Sequence, residues 1–386
     1  MDKKLQTGEG FKVITLVLIA FGLFTVVAGF LAGEHVRVWA NLLLNNYYFL
    51  SVTIGATFWM ALQAITQSGW SAAYVRIPQA MSNYLILSFV LWLILFGGLH
   101  DLYHWSHGEA VNEDPILLHK EPYLNIPFFS VRFVLFFGLW IFLTQRIKKL
   151  STDEDIHGGL SYFNKIEFTS KVYIFVLAIS FSLFTIDWLM SLDAHWYSTI
   201  YSIKKFVMSF YHGVTWILAI AIILYKMGYL PVLTKTHMQD FGRYIFALSI
   251  IWGYVWLSQY LLIWYANIPE ETVYYVPRVM SDYKPMFYAE LIINWLFPFL
   301  FLMWNRVNSN HTAMLAVTGV LIIGQWVELY MSIMPNTIES HSISWIEVGT
   351  FLGFLGIFVF AVTWSLRRIT LVPKQHPYLV ESLEHH

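Results

Sequence analysis

The sequence predicts an all-α integral membrane protein with about ten transmembrane helices. Of its 386 residues, 58% are hydrophobic and only 12% are charged, whereas a soluble domain carries about 25% charged residues. The mean hydropathy is +0.58, and many of the aromatic residues, 18% of the chain, lie at the ends of apolar runs. Aromatic side chains favour the headgroup region of a bilayer at such positions. These observations favour membrane-spanning helices over a soluble core.

Ten windows of roughly 20 apolar residues, the length that crosses about 30 Å of hydrocarbon, follow one another along the chain. The third window has an ambiguous start between residues 71 and 78, and the eighth contains Glu290 and Pro298. An even number of spans places both termini on one side of the membrane. The predicted spans are residues 11–31, 47–66, 81–99, 126–144, 172–192, 206–225, 244–265, 285–304, 313–334 and 345–366.

The connections on the side of the N-terminus contain about twice as many lysine and arginine residues as those on the other side. Because positively charged connections stay in the cytoplasm, both termini and the tail at residues 367–386 are predicted to be cytoplasmic. Residues 145–165 are predicted to be a solvated linker between two halves. His385 and His386 resemble the end of an expression tag, and we assign them no function.

The long connections on the opposite side are rich in Trp, Tyr, His and acidic residues, which is typical of a docking face. They are residues 100–124, 193–205, 267–284 and 335–344.

The order of the spans suggests two four-helix bundles with one peripheral helix at each end of the chain. The peripheral helices are residues 11–31 and 345–366. The first bundle is expected at residues 45–192 and the second at residues 202–334.

Seven polar residues are predicted inside the spans, in one layer roughly 8 to 14 Å below the outer surface. Intramembrane ionisable groups are costly and therefore are candidates for function, because a carboxylate or an imidazole can take up and release protons or contact a quinone. The alternative is that they hold helices together, at under about 1 kcal/mol each. The residues are Arg132, Asp187, His212, Gln259, Glu290, Gln325 and Glu328.

Composition excludes several kinds of redox centre. The chain has no cysteine, so it cannot hold an iron–sulphur cluster through thiolates or attach a c-type haem. His212 is the only histidine deep in a predicted span, which disfavours b-type haem. His100, His104 and His107 share a face if helical, and an interfacial helix is favoured there over a zinc or copper site. The 23 basic and 24 acidic residues give no reason to expect nucleic acid.

Two runs of sequence carry a resemblance to a known family. They are residues 187–201 (DWLMSLDAHWYSTIY) and residues 259–271 (QYLLIWYANIPEE). On a cysteine-free chain with ten predicted spans, these runs resemble the membrane subunits of bacterial alternative complex III. Those subunits belong to the NrfD or polysulfide-reductase membrane-subunit superfamily, and the length and motifs are most similar to the ActF-type subunit. The resemblance covers about residues 10 to 370.

The resemblance implies a subunit of a quinol:electron-acceptor oxidoreductase in the bacterial inner membrane, with cytochrome c or an oxidase as acceptor. It implies an NrfD-like paralogue, an iron–sulphur subunit and c-type cytochrome subunits as partners, with a terminal oxidase as a further one. The haem and iron–sulphur cofactors belong to those partners, and quinol or menaquinol binding is associated chiefly with the paralogue. A proton pathway, a quinone contact and a scaffold stay open as roles, and an ion-coupled secondary transporter is the alternative from another class.

Overall fold

The computed structural model describes residues 4–338 and 342–385, and every regular element in these ranges is helical. The prediction of an all-α multi-pass membrane protein is confirmed, because ten helices of the described part are long and apolar enough to cross a membrane. They are α1 (Glu9–Leu31), α2 (His35–Ile65), α3 (Ala72–Leu102), α4 (Ile126–His157), α5 (Leu160–Trp188), α6 (Thr199–Lys226), α7 (Lys235–Ala266), α8 (Lys284–Leu302), α9 (His311–Ile333) and α10 (Trp345–Leu366). Lys3, His386 and residues 339–341 of one predicted connection lie outside the described residues.

Several helices extend well beyond the apolar windows. The second helix begins at His35 rather than at residue 47, and the sixth begins at Thr199 rather than at residue 206. An apolar window detects only the part of a helix that lies in hydrocarbon, whereas backbone hydrogen bonding continues into the headgroup region. Polar residues that the sequence places in connections therefore belong to helices.

The predicted linker at residues 145–165 is wrong. Helix α4 continues to His157, and α5 begins at Leu160, so only Gly158 and Gly159 connect the two helices. Both glycines have positive φ angles, 67° and 90°, which residues with a side chain rarely adopt. The charges of this segment therefore lie mainly along helices.

Two of the ten spans are interrupted. Helix α3 joins a 3₁₀ turn, Ala72–Tyr74, to the α-helical segments Arg76–Met81 and Tyr84–Leu95. Helix α8 contains a π-helical segment, Ile292–Leu296, just before Pro298, whose missing N–H cannot continue the α-helical hydrogen bonding. We call α2–α5 the first set of helices and α6–α9 the second. The interrupted helix is the second member of the first set but the third member of the second set, so the two interruptions do not lie at corresponding positions.

Helices α2 and α6 form the centre of the molecule. In the first set, α2 contacts α3 and α5, and α4 packs along α5; in the second, α6 contacts α7 and α9, and α8 lies against both of these. The backbones of α2 and α6 meet at Gly55 and Gly213, where a Cβ atom on Gly55 would lie 1.7 Å from a backbone oxygen of α6. The first and last helices pack on each other through Gly22 and Gly353. Small residues allow such close approaches of membrane helices.

Both ends of the described chain lie on one face of the helix assembly. The backbone N–H of Gln6 donates a hydrogen bond to Tyr229 Oη (3.3 Å), and Thr234 Oγ1 donates to the backbone oxygen of His385 (3.0 Å). Tyr229 and Thr234 both belong to the connection between α6 and α7. We call this the inner face, and the opposite one, which contains the long aromatic connections, the outer face.

Candidate functional site: buried charges near the outer face

Arg132 of α4 and Asp187 of α5 form a buried ion pair. Arg132 Nε and Nη2 donate hydrogen bonds to the two carboxylate oxygens of Asp187, at 2.8 and 2.9 Å. Its Nη1 donates to the backbone oxygen of Tyr123 at 3.0 Å, and its guanidinium lies 3.9 Å from the Tyr123 ring centroid. Paired hydrogen bonds of this kind are strong and directional. The pair joins α4 to α5 and satisfies both charges.

Lys205 of α6 and Glu328 of α9 form a second pair, and both are at most 1% exposed. Lys205 Nζ donates to Glu328 Oε1 at 3.1 Å and to Ser332 Oγ at 2.6 Å. Trp252 Nε1 of α7 donates to the other carboxylate oxygen, Oε2, at 2.6 Å. Three helices thus meet at one carboxylate, because each contributes a donor or the acceptor itself.

The preceding residue, Lys204, faces Glu290 of α8. Lys204 Nζ lies 3.7 Å from Glu290 Oε1, which is too long for a hydrogen bond. Trp256 Nε1 donates to the same oxygen at 3.0 Å. Since Lys204 and Lys205 are consecutive, the two ion pairs are adjacent. Together they form what we call the charged tier: Lys204, Lys205, Glu290 and Glu328.

Arg278 covers the charged tier from the outer side. Its Nε donates to the backbone oxygen of Met331 at 2.9 Å, and its Nη2 donates to that of Ser332 at 3.2 Å. Its guanidinium stacks 3.5 Å from the ring centroid of Tyr274. Because the side chain of Ser332 contacts Lys205, Arg278 and the charged tier share one hydrogen-bonded segment of α9.

Polar groups continue deeper in the membrane, below the charged tier. His212 Nδ1 lies 3.1 Å from Ser51 Oγ, Gln325 Nε2 donates to Thr215 Oγ1 at 3.4 Å, and Asn294 Nδ2 donates to a backbone oxygen of α9 at 2.8 Å. Among the described residues, His212 Nε2, Gln325 Oε1 and Asn294 Oδ1 have no hydrogen-bond partner. Buried polar atoms usually have a partner, which is often an ordered water molecule. We call His212, Gln325 and Asn294 the deep tier.

The seven predicted residues are all buried, but they do not form one cluster. Arg132 and Asp187 pair in the first set of helices, whereas Glu290 and Glu328 belong to the second. Gln259 lies apart from both, near the outer end of α7, where its Nε2 donates to Ser198 Oγ at 3.3 Å. Sequence spacing gives the depth of each residue along its own helix but not the direction in which its side chain points.

The ends of two helices differ from the apolar windows on which the predicted depths depend. His212 follows Thr199, the first residue of α6, by 13 positions, which places it about 20 Å along the helix. Asp187 is the last residue but one of α5, which ends at Trp188. Relative to the outer ends of their helices, His212 thus lies far along α6, whereas Asp187 lies at the very end of α5.

Sequence reasoning missed the cations of the site. Lys204, Lys205 and Arg278 fall in the predicted outer connections at residues 193–205 and 267–284, yet all three are buried. One signal in the sequence could have shown that the two lysines belong to α6. Ser198 is a residue type that favours helix N-termini, and a helix that begins after Ser198 contains both lysines in its second turn. Arg278 carries no comparable signal, since it lies in the short helix Val276–Val279 outside the spans.

A separate buried cluster of charged residues lies near the inner face. Arg76 of α3 forms an ion pair with Asp155 of α4, and its Nη1 donates to Gln79 Oε1 at 2.6 Å. Glu154 is fully buried beside this pair, and its carboxylate oxygens have no hydrogen-bond partner in the described part of the chain. This cluster lies at the end of the bundle opposite the charged tier.

The three histidines at the outer end of α3 do not lie on one helix. The segment Leu99–Leu102 is helical, Tyr103 is extended, and His104–Ser106 forms a separate 3₁₀ turn. His100 Nδ1 lies 3.0 Å from Ser106 Oγ, and His107 Nε2 lies 2.8 Å from the backbone oxygen of His100. The prediction of one interfacial helix is therefore wrong, although the His107 ring lies 5.1 Å from that of His100 and 6.5 Å from that of His104, between centroids.

The two runs that carry the family resemblance contact each other on the outer face. Trp196 Nε1 of the first run donates to the backbone oxygen of Glu271, the last residue of the second, at 3.1 Å. Its ring also stacks on Tyr274, with 4.1 Å between centroids. No protein-family model matches the chain, and no curated protein matches it either. The resemblance therefore depends on the residues of these two runs.

Proposed function

We propose that this chain is an integral, cofactor-free subunit of a quinol:electron-acceptor oxidoreductase complex of the bacterial inner membrane. In this proposal, helices α6–α9 carry protons for the complex near its outer face. The supporting observation is the arrangement of two tiers. Two adjacent buried ion pairs lie directly above polar atoms that have no partner among the described residues.

Glu290 is the carboxylate best suited to exchange a proton. Protonation of Glu290 breaks no direct hydrogen bond to lysine, because Lys204 lies 3.7 Å away and Trp256 is the near donor. Asn294 lies one turn deeper on the same helix, and its free Oδ1 can accept a hydrogen bond from water. A proton can then pass between Glu290 and the deep tier through water. Arg132 and Asp187 are instead suited to a structural role, because each of the two carboxylate oxygens already accepts a hydrogen bond.

Membership of a respiratory complex is supported by the family resemblance and by composition. A chain without cysteine leaves iron–sulphur clusters and c-type haem to partner subunits, so electrons would pass from quinol to cytochrome c or an oxidase through those partners. We assign quinol or menaquinol oxidation to the NrfD-like paralogue. Two of the residues predicted from sequence as quinone contacts, Asp187 and His212, are poorly suited to that role. Asp187 accepts hydrogen bonds from Arg132 on both carboxylate oxygens, and His212 is fully buried.

The first experiment is purification of the complex in mild detergent through this chain, followed by absorption and electron paramagnetic resonance spectroscopy. We expect c-type haem, iron–sulphur signals, a paralogous membrane subunit and quinol-dependent reduction of the haem. A colourless chain that purifies alone would refute membership of the complex. Solute uptake by that chain in liposomes would then support the transporter.

The second experiment tests the proton role in the purified complex, reconstituted in vesicles with a pH-sensitive dye outside. Glu290→Gln should slow quinol-driven proton release severalfold while the complex still assembles. Glu34→Gln is the control, because Glu34 is exposed between α1 and α2 and has no role in the site. Full turnover and full proton release by Glu290→Gln would refute the relay, and loss of assembly alone would favour a scaffold.

A further inference from the structure

An open cleft lies between α3, α4 and α10 near the inner face, with a volume of about 600 Å³. It is separate from the charged tier, which lies near the outer face between α6, α7, α8 and α9. One part of its wall is apolar and the other contains two cations, Lys148 and Arg368, with Asn83, Gln145 and Ser365 around them. This division of the wall indicates a ligand that is itself amphipathic.

The polar part of the cleft is held in place by hydrogen bonds. Ser365 Oγ accepts from Asn83 Nδ2 at 2.7 Å and from Lys148 Nζ at 3.2 Å. Gln145 Nε2 donates to Asn83 Oδ1 at 3.2 Å, so residues of three helices form one network. The Arg368 guanidinium stacks on the Trp364 ring, 3.4 Å from its centroid. Both cations are thus positioned before any ligand binds.

The charges of Lys148 and Arg368 are not balanced by any carboxylate in the described part of the chain. Neither forms an ion pair with a carboxylate among the described residues, and no carboxylate lines the cleft. Two other buried or partly buried sites near the inner face differ in this respect, because Arg76 pairs with Asp155 and Arg243 with Asp240. The cleft therefore favours an anion.

The two cations lie at the level of the lipid headgroups. Lys148 follows Ile126, the first residue of α4, by 22 positions, or about 33 Å along the helix. Arg368 follows the end of α10, Trp345–Leu366, a helix of 22 residues and about 33 Å. Since the hydrocarbon core is about 30 Å thick, both side chains reach its inner boundary.

The apolar part of the wall continues toward the centre of the bilayer. Ile86 and Leu87 of α3 and Phe360 of α10 line it, and Ile86 and Phe360 are 48% and 47% exposed. These side chains face hydrocarbon rather than protein, and they lie on the membrane side of the two cations. A free inorganic anion could use the cations but would leave this surface uncovered.

We propose that the cleft binds an anionic phospholipid, with its phosphate on Lys148 and Arg368 and its acyl chains on Ile86, Leu87 and Phe360. Basic pockets between transmembrane helices recognise anionic headgroups in this way. The lipid would contact α3, α4 and α10 at once. It would therefore hold the last helix against the first set of helices.

The test is native mass spectrometry of the full chain after delipidation, titrated with phosphatidylglycerol or with phosphatidylcholine of the same acyl chains. We expect phosphatidylglycerol to bind at least tenfold more tightly. Lys148→Gln and Arg368→Gln should each weaken its binding about fivefold, and the double variant about 25-fold, because each cation contributes separately to attraction of an anionic headgroup.

The matched controls are Lys149→Gln and Arg367→Gln, because these neighbouring cations are exposed and do not line the cleft. They should bind phosphatidylglycerol as the natural chain does. If the double variant fails to fold, Lys148→Arg combined with Arg368→Lys keeps both charges and should keep the preference. Equal binding of the two lipids, equal losses in the controls, or displacement of the lipid by millimolar inorganic phosphate would each overturn the proposal.

Discussion

Removing the negative charge of the Lys205–Glu328 pair should destabilise the protein far more than removing both charges. The variant Glu328→Gln keeps an oxygen that can accept the hydrogen bond from Trp252 Nε1, so the lost charge is the main change. Lys205 is fully buried and would keep Ser332 Oγ, at 2.6 Å, as its nearest partner. In Lys205→Met combined with Glu328→Gln, no unpaired charge remains.

The expected magnitudes follow from the burial of the pair. Breaking a buried ion pair by removing one partner costs about 3 to 5 kcal/mol, because the other charge stays desolvated. Ser332 compensates part of this cost, so we expect Glu328→Gln to lose about 3 kcal/mol. Replacing both members of such a pair by neutral groups of similar volume is often close to neutral, and we expect the double variant to lose under about 1 kcal/mol. The double variant should therefore be the more stable of the two.

The assay is unfolding of the purified chain in mixed micelles, titrated with sodium dodecyl sulfate and followed by tryptophan fluorescence. Lys205→Met completes a double-mutant cycle, from which we expect a coupling energy of at least about 2 kcal/mol. Lys235→Met is the control for loss of a lysine, since Lys235 is exposed at the start of α7. A double variant no more stable than Glu328→Gln, or a coupling energy below about 0.5 kcal/mol, would refute the argument.

Three further predictions concern packing, protonation and the first ion pair. Gly55→Val should abolish monodisperse folded protein in size-exclusion chromatography, because a Cβ there would lie 1.7 Å from a backbone oxygen of α6, whereas Gly138→Val, with open space around it, should not. Burial lowers the pKa of His376 to about 4. Between about pH 6.5 and 4 the folded chain therefore binds fewer protons than the unfolded chain. The stability of the C-terminal segment should fall as the pH falls through this range. Hydrogen exchange of residues 371–385 should show this fall, and His376→Gln should remove it. Arg132→Lys should lower the free energy of unfolding by about 1 to 2 kcal/mol in the same micelle assay, because lysine cannot donate two parallel hydrogen bonds to Asp187.

The number and approximate position of the spans could be predicted from sequence because hydrocarbon imposes both a length and an apolar composition. The last span, residues 345–366, coincides with α10. The structure also shows how apolar composition relates to position. Helix α1, the most apolar of the ten, is mostly exposed, whereas α2, the least apolar, is mostly buried. A central helix can place polar side chains such as Asn41 and Asn45 against protein. Hydropathy alone does not separate lipid-facing from central helices, however, because the weakly apolar α8 is mostly exposed and the more apolar α6 is mostly buried.

The pairing within the candidate site could not be predicted, for two physical reasons. The lysines of α6 were excluded because a hydropathy window stops where charge begins, although a paired lysine is tolerated inside a bundle. The partner of each carboxylate depends on how helices rotate about their axes, and that rotation is set by contacts between residues far apart in sequence. Lys205 and Glu328, for example, are separated by 123 positions.

The contact between α2 and α6 also bears on the path of proton movement. His212 and Ser51 meet just on the outer side of the point where Gly55 and Gly213 bring the two backbones together. Direct backbone contact leaves no room for water between these helices at that level. The inner cluster around Arg76 lies beyond this contact, so water cannot connect it to His212 between α2 and α6. Any water path from the deep tier to the inner face would therefore have to run among α6–α9 and not through the contact between α2 and α6.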